Sequence, residues 1–100
     1  DISASFQEAV LDVLVEKSFR LAKEKGRNKI VIAGGVAANK GLRRAMESRG
    51  KKEGIGIFYP SPVLCTDNAA MIGSAGYYNY IKGVRSTLDL KVNPNLGFLE

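Results

Sequence analysis

The sequence contains no histidine and only one cysteine, Cys65, in its 100 residues. Histidine is the side chain most used as a metal ligand and as a neutral-pH base. Its absence excludes a His-based metal centre or nucleophile–base pair built from this chain alone. No HExxH stretch is present, and the lone cysteine has no base beside it, so nothing here forms a peptidase site. A single cysteine cannot close an internal disulfide, which favours a reducing, cytoplasmic setting. Beside a strand end, Cys65 reads as a small buried hydrophobe rather than a ligand. No apolar run approaches the roughly 18–20 residues needed to cross a bilayer. The first residues show no basic-then-apolar segment, so neither a signal peptide nor a membrane partner is expected. An initiator Met is also missing. The chain opens on "DISASF", already at a helix start, and closes on "GFLE". Residues 99–100, Leu-Glu, read as a vector remnant behind a natural segment 1–98 that is a piece of something larger.

What is present is globular in character. Hydrophobic residues make up 45% of the chain, too many for a disordered one. The net charge of +5 suits a polyanionic partner, although charge alone also describes an ordinary basic surface. Residues 3–25 read as a helix capped by Ser3 or Ser5 and ended by Gly26. Phe6, Val10, Val13 and Leu14 form one apolar stripe, and Leu11, Val15 and Phe19 a second beside it. Such a wide face packs against more than one neighbour. Glu16 and Arg20 are spaced for an i,i+4 pair. Lys29–Ala33 lacks polar alternation and reads as a strand covered on both faces. Asn39–Ser48 reads as a helix with Leu42, Ala45 and Met46 on its inner side. Gly54–Tyr59 reads as a second strand, Pro60–Pro62 as a stiff connector, and Thr66–Lys82 as a third helix. Small residues up to Gly76 suggest that something packs close to that helix. Residues 83–100 read as a docked tail. The order helix–strand–helix–strand–helix implies an α/β fold with a two-stranded parallel pair. Two strands make a poor sheet, so missing strands and a bare edge that invites a second copy are expected.

Two stretches carry candidate chemistry. In open α/β sheets, ligands sit at the carboxyl ends of the strands. Gly34-Gly35 lies there, where absent side chains let a nucleotide touch the backbone. The helix that follows would aim its N–H groups at an anion, with Asn39 near its start. The competing reading is a tight turn with Asn39 as a helix cap. The spacing matches neither a P-loop nor GxGxxG. In "LCTDNAAMIG", Thr66 or Asp67 suits the N-cap of the third helix. Alternatively, Asp67 points into the same cleft and holds a metal beside a nucleotide.

Together, "DISASFQEAVLDVLVEK", "AGGVAANKGLR", "FYPSPVLCTDNAAMIGSAGYY" and "LDLKVNPNL" resemble the C-terminal part of the tRNA threonylcarbamoyladenosine-synthesising transferases, a family once labelled O-sialoglycoprotein endopeptidase or glycoprotease. The resemblance spans essentially all of residues 1–98. It implies the later half of the second lobe of an actin-like ATPase fold. It matches Gly34-Gly35 to the adenosine-side turn, Asn39 to the substrate-binding Asn, and Asp67 to a ligand of one divalent metal, iron or zinc. The family's other metal ligands are two His of an upstream HxxxH motif, consistent with the absence of histidine here. The implied reaction moves a threonylcarbamoyl group from threonylcarbamoyl-adenylate to N6 of the adenosine beside the tRNA anticodon. The implied partners are tRNA, through candidates Arg43, Arg44, Lys51 and Lys52, and small proteins of a tRNA-modification complex. The segment alone would be inactive and metal-free. The alternatives are an interaction lobe of such a complex or, following the older label, a metallo-endopeptidase.

Overall fold

The computed structural model describes residues 1–98, so Leu99-Glu100, expected above to be a vector remnant, lies outside the described residues. The chain divides into a compact unit of residues 1–67 and a second that begins at Asn68. The first is α/β: helix α1 (Ile2–Glu24), strand β1 (Lys29–Val31), helix α2 (Lys40–Glu53) and strand β2 (Gly56–Phe58). The second carries helix α3 (Ala69–Ile81).

Helix α1 begins one turn earlier than its serines suggest. Asp1 is the cap, its Oδ1 accepting the Ala4 N–H at 2.8 Å. A carboxylate there also faces the positive end of the helix dipole. The helix ends as expected, with Gly26 at φ 60 following Lys25. The second apolar stripe is the one this unit uses. Val15, Phe19 and Ala22 are buried with Leu42, Met46 and Ile55 in one core, with Leu11 packed against it. The first stripe stays open: Phe6 is 71% exposed. Polar pairs flank the core. Arg49 reaches Glu16 on α1 at 3.1 Å and Glu53 at 2.7 Å, and Lys23 also pairs with Glu53. The expected Glu16–Arg20 pair is present at 3.9 Å, with both side chains largely in solvent.

The strands are parallel, in register Lys29↔Gly56, Ile30↔Ile57 and Val31↔Phe58. Coverage of β1 on both faces is not found. Ile30 packs on the core, but Val31 is 72% exposed. Helix α2 runs past its expected end to Glu53 and stops at Gly54, which is left-handed at φ 69. Its Gly50 lies against β2, where a Cβ would come within 2.5 Å of the Ile55 carbonyl oxygen. Closeness of α2 and β2 therefore requires glycine at that point.

In the second unit, α3 starts at Ala69 rather than Thr66. A Cβ on Gly73 or Gly76 would meet nothing within 4 Å, so the expected close neighbour is not found. The expected docked tail is not found either: every residue of 83–98 is exposed.

Candidate functional site

The ladder extends one bond past β1, where the Ile32 N–H donates to the Phe58 carbonyl at 2.8 Å. The chain then enters Gly34 at φ 86, a conformation that only glycine holds cheaply. Gly35 has no positive φ, and a Cβ on either glycine would meet nothing within 4 Å. No contact within this chain therefore demands glycine at 35. Both residues present bare backbone to open space at the carboxyl end of β1.

A 3-10 turn, Gly35–Ala38, comes next, and α2 begins only at Lys40. The start of α2 agrees with the helix read from Asn39, and the residues between it and the glycines form the 3-10 turn. The intervening turn is closed by Ala37 N–H to Gly34 O and Asn39 N–H to Val36 O, both 3.0 Å. Asn39 is the N-cap of α2, its Oδ1 accepting the Leu42 N–H at 3.0 Å. The donor it can offer a ligand is its Nδ2 amide. Beside it opens a groove of about 500 Å³ lined by Phe6, Gln7, Val10 and Leu14 of α1, with Val36 and Asn39. The first stripe of α1 thus walls a cavity next to the Asn39 side chain. Gly41 permits this approach, since a Cβ there would lie 3.1 Å from Asn39 Oδ1 and 3.2 Å from Leu11 Cδ1.

The second loop leaves β2 through Tyr59 and Pro60, makes a 3-10 turn at Pro62–Leu64, buries Cys65 and reaches Asp67, which is exposed. Neither Thr66 nor Asp67 caps α3. Asn68 does, with its Oδ1 accepting the Met71 N–H at 3.0 Å. Asn68 serves as that cap because it stands immediately before a helix that starts at Ala69. Asp67 is therefore not consumed by capping. Among the described residues, no group of three or more His, Cys, Asp or Glu stands close enough to hold a metal. Asp67 offers one carboxylate, and the residues present do not assemble a metal centre.

Sequence reading missed the residue that joins the two loops. Arg43, one turn into α2, donates from Nε to the Ala37 carbonyl. Its Nη2 donates to the Pro60 carbonyl at 2.9 Å and to Cys65 Sγ at 3.3 Å. The guanidinium carbon stacks 4.1 Å over the Tyr59 ring. The Tyr59 hydroxyl in turn donates to Glu47, and that bond to a carboxylate raises the phenol above its usual pKa. Arg43 is thus committed to the protein's own backbone, whereas Arg44, Lys51 and Lys52 are exposed. Its one available signal was position: the residue after the buried Leu42, on the first turn behind the glycines. Cys65 is buried, as the packing reading holds.

Known proteins resemble this chain closely. The family model for tRNA N6-adenosine threonylcarbamoyltransferase matches residues 1–74. Proteins of that name from Clostridium beijerinckii and Symbiobacterium thermophilum are each 54% identical, over 96 and 97 residues. The one from Syntrophotalea carbinolica is 55% identical over 95 residues. These alignments cover 96%, 97% and 95% of this chain, which spans only 28% of the length of each relative. The chain belongs to the tRNA N6-adenosine threonylcarbamoyltransferase family.

Proposed function

We propose that this segment is one wall of the nucleotide cleft of a transferase that moves a threonylcarbamoyl group from threonylcarbamoyl-adenylate to N6 of the adenosine beside the tRNA anticodon. The observation that carries the reading is the family match over most of the chain. The geometry supports it. Two parallel strands deliver Gly34-Gly35 and Asp67 on loops that follow their carboxyl ends, where ligands of open α/β sheets bind. Bare backbone at Gly34 and Gly35 admits the adenylate. The Asn39 amide donates to one of its oxygens while the same side chain caps α2. The architecture corresponds to the later half of the second lobe of an actin-like ATPase fold, with residues 1–98 as one natural segment of it.

Asp67 contributes one ligand to a divalent metal, iron or zinc, whose other ligands lie outside this segment. Exposed Arg44, Lys51 and Lys52 contact tRNA phosphates, which makes binding salt-dependent. Catalysis needs groups from both walls of a cleft held in one geometry, so the segment alone transfers nothing. Its two-stranded sheet has an unpaired side on each strand, where a second copy adds. The parent protein works in the cytoplasm. No helix among the described residues is long and apolar enough to cross a membrane.

The open stripe of α1, including Phe6 and Val13, supports a second reading in which this lobe binds a small partner of a tRNA-modification complex. One experiment separates the two. Asp67→Ala and Asn39→Ala are placed in the full-length protein, and threonylcarbamoyl transfer to tRNA and bound metal are measured. Loss of transfer in both, with metal lost only in Asp67→Ala, supports the enzyme wall. Full activity and metal in both would move the interaction reading ahead.

A further inference from the structure

We infer that Arg43 is a positioning residue for this transfer: it holds the glycine turn and the Asp67 loop at one fixed separation. The inference rests on the reading that Asn39 and Asp67 face the substrate.

Its contacts are distributed across both loops. Nε binds the carbonyl of Ala37, two residues before Asn39, and Nη2 binds Sγ of Cys65, two residues before Asp67. A third bond takes the Pro60 carbonyl at the root of the second loop, at 2.9 Å. The Arg43 backbone N–H also donates to the Asn39 carbonyl at 3.1 Å. The anchors at both ends are packed in the interior. Ala37 is fully buried and Cys65 nearly so. Stacking on Tyr59 fixes the plane of the guanidinium and so the directions of its donors.

The chemistry asks for arginine. A guanidinium is planar, always charged, and carries donors in a fixed fork, so one group can bond two backbone segments while lying flat on a ring. A lysine ammonium is a compact charge on a flexible stem and cannot do both. Rigid supports behind ligand-holding groups matter because a displacement of about 1 Å at a reacting centre can cost about 100-fold in rate. Arg43 touches neither Asn39 nor Asp67 by its side chain, and acts through the backbone that carries them.

The test uses the full-length protein with Arg43→Lys and Arg43→Met. With saturating substrates, kcat for threonylcarbamoyl transfer falls about 10- to 100-fold in both. The Kd for tRNA, and its slope against salt, stay at wild-type values. Amide exchange quickens in residues 34–39 and 60–67 together, while α1 stays protected. Combining Arg43→Lys with Asn39→Ala lowers kcat by less than the product of the single effects, because both act through one arrangement. If Arg43→Met does not fold, Arg43→Lys carries the test, since it keeps the charge and most of the stem. Unchanged kcat in folded Arg43→Lys would overturn the inference. So would weaker tRNA binding with a salt slope reduced by about one, which marks a phosphate contact. A wild-type protein that transfers nothing would instead sink the proposed function, while the exchange measurement would still test the clamp.

Discussion

Residues 1–67 and residues 68–98 have similar appetites for burial and meet different fates. The first region closes a core in which Phe19 is wholly inaccessible and six side chains from α1, α2 and Ile55, just before β2, meet. The second contains α3, richer in apolar and aromatic side chains than α1 or α2, yet none of its residues is buried. Tyr77, Tyr80 and Ile81 are all more than half exposed. A helix that is apolar all round belongs inside a larger body. The chain spans 28% of the length of the relatives it matches. Stripes that find a partner within 67 residues make a fold. Those that do not are the surfaces on which the rest of the protein is expected to lie.

The largest break in this comparison comes from matched truncations. Phe19→Ala should cost about 3–5 kcal/mol, enough to unfold a small domain. Ile72→Ala in the same 100-residue chain should change stability by less than about 0.5 kcal/mol. Urea denaturation followed by circular dichroism reads both. An equal loss at the two positions would show that α3 has a core of its own. Placed in the full-length protein, Ile72→Ala should become as costly as a core truncation.

Next in size is Gly50→Ala. Alanine normally favours a helix, but here its Cβ would sit 2.5 Å from a backbone oxygen and 2.9 Å from Ile57 Cγ1. A net loss of about 1–3 kcal/mol is expected by the same denaturation. Gly76→Ala in α3, where a Cβ meets nothing, should be neutral or stabilising by a few tenths up to about 1 kcal/mol.

Two Asn caps sharpen the contrast further. Asn39→Ala and Asn68→Ala each remove a bond of 3.0 Å. Each should cost about 1 kcal/mol locally. Only the first should lower the global midpoint, because α2 supplies Leu42 and Met46 to a core, whereas no residue of α3 is buried. Amide exchange at Met71 should report the second.

The smallest effect is electrostatic. Glu53 accepts from Lys23 and Arg49, and the Lys23 bond, followed by Arg49, holds its carboxyl below the usual value of 4.5. A depressed folded-state pKa gives stability that is present above 4.5 and lost as pH falls through the folded value. Midpoints measured from pH 6 to 3 should drop at the acid end, and Glu53→Gln should flatten that drop. These groups are reached by solvent, so salt should also weaken the effect.

Much of the candidate site was legible in the sequence. Gly34 and Gly26 stand where positive φ is needed, and short apolar runs mark both strands. Leu42, Ala45 and Met46 sit on the inner face of α2, as their spacing predicts. The cap of α3 was less legible. Thr66, Asp67 and Asn68 are all good caps by type, and a difference of one residue in helix start chooses among them. Arg43 was not legible at all. It reads as one of several basic residues on a helix, set apart from Arg44 only by its place directly after Leu42.

The order of helices and strands, the parallel pairing, the left-handed glycines and the family follow from the sequence by itself. They depend on local dihedral preferences and on the period of apolar residues, which neighbouring positions encode. Only the tertiary structure decided which stripe of α1 is buried, which Asn or Asp caps α3, and that Arg43 turns inward. The inward turn of Arg43 depends on a ring, a carbonyl and a sulfur 16 to 22 positions away, those of Tyr59, Pro60 and Cys65. Such distances in the chain become contacts only after two strands have paired and placed their loops side by side.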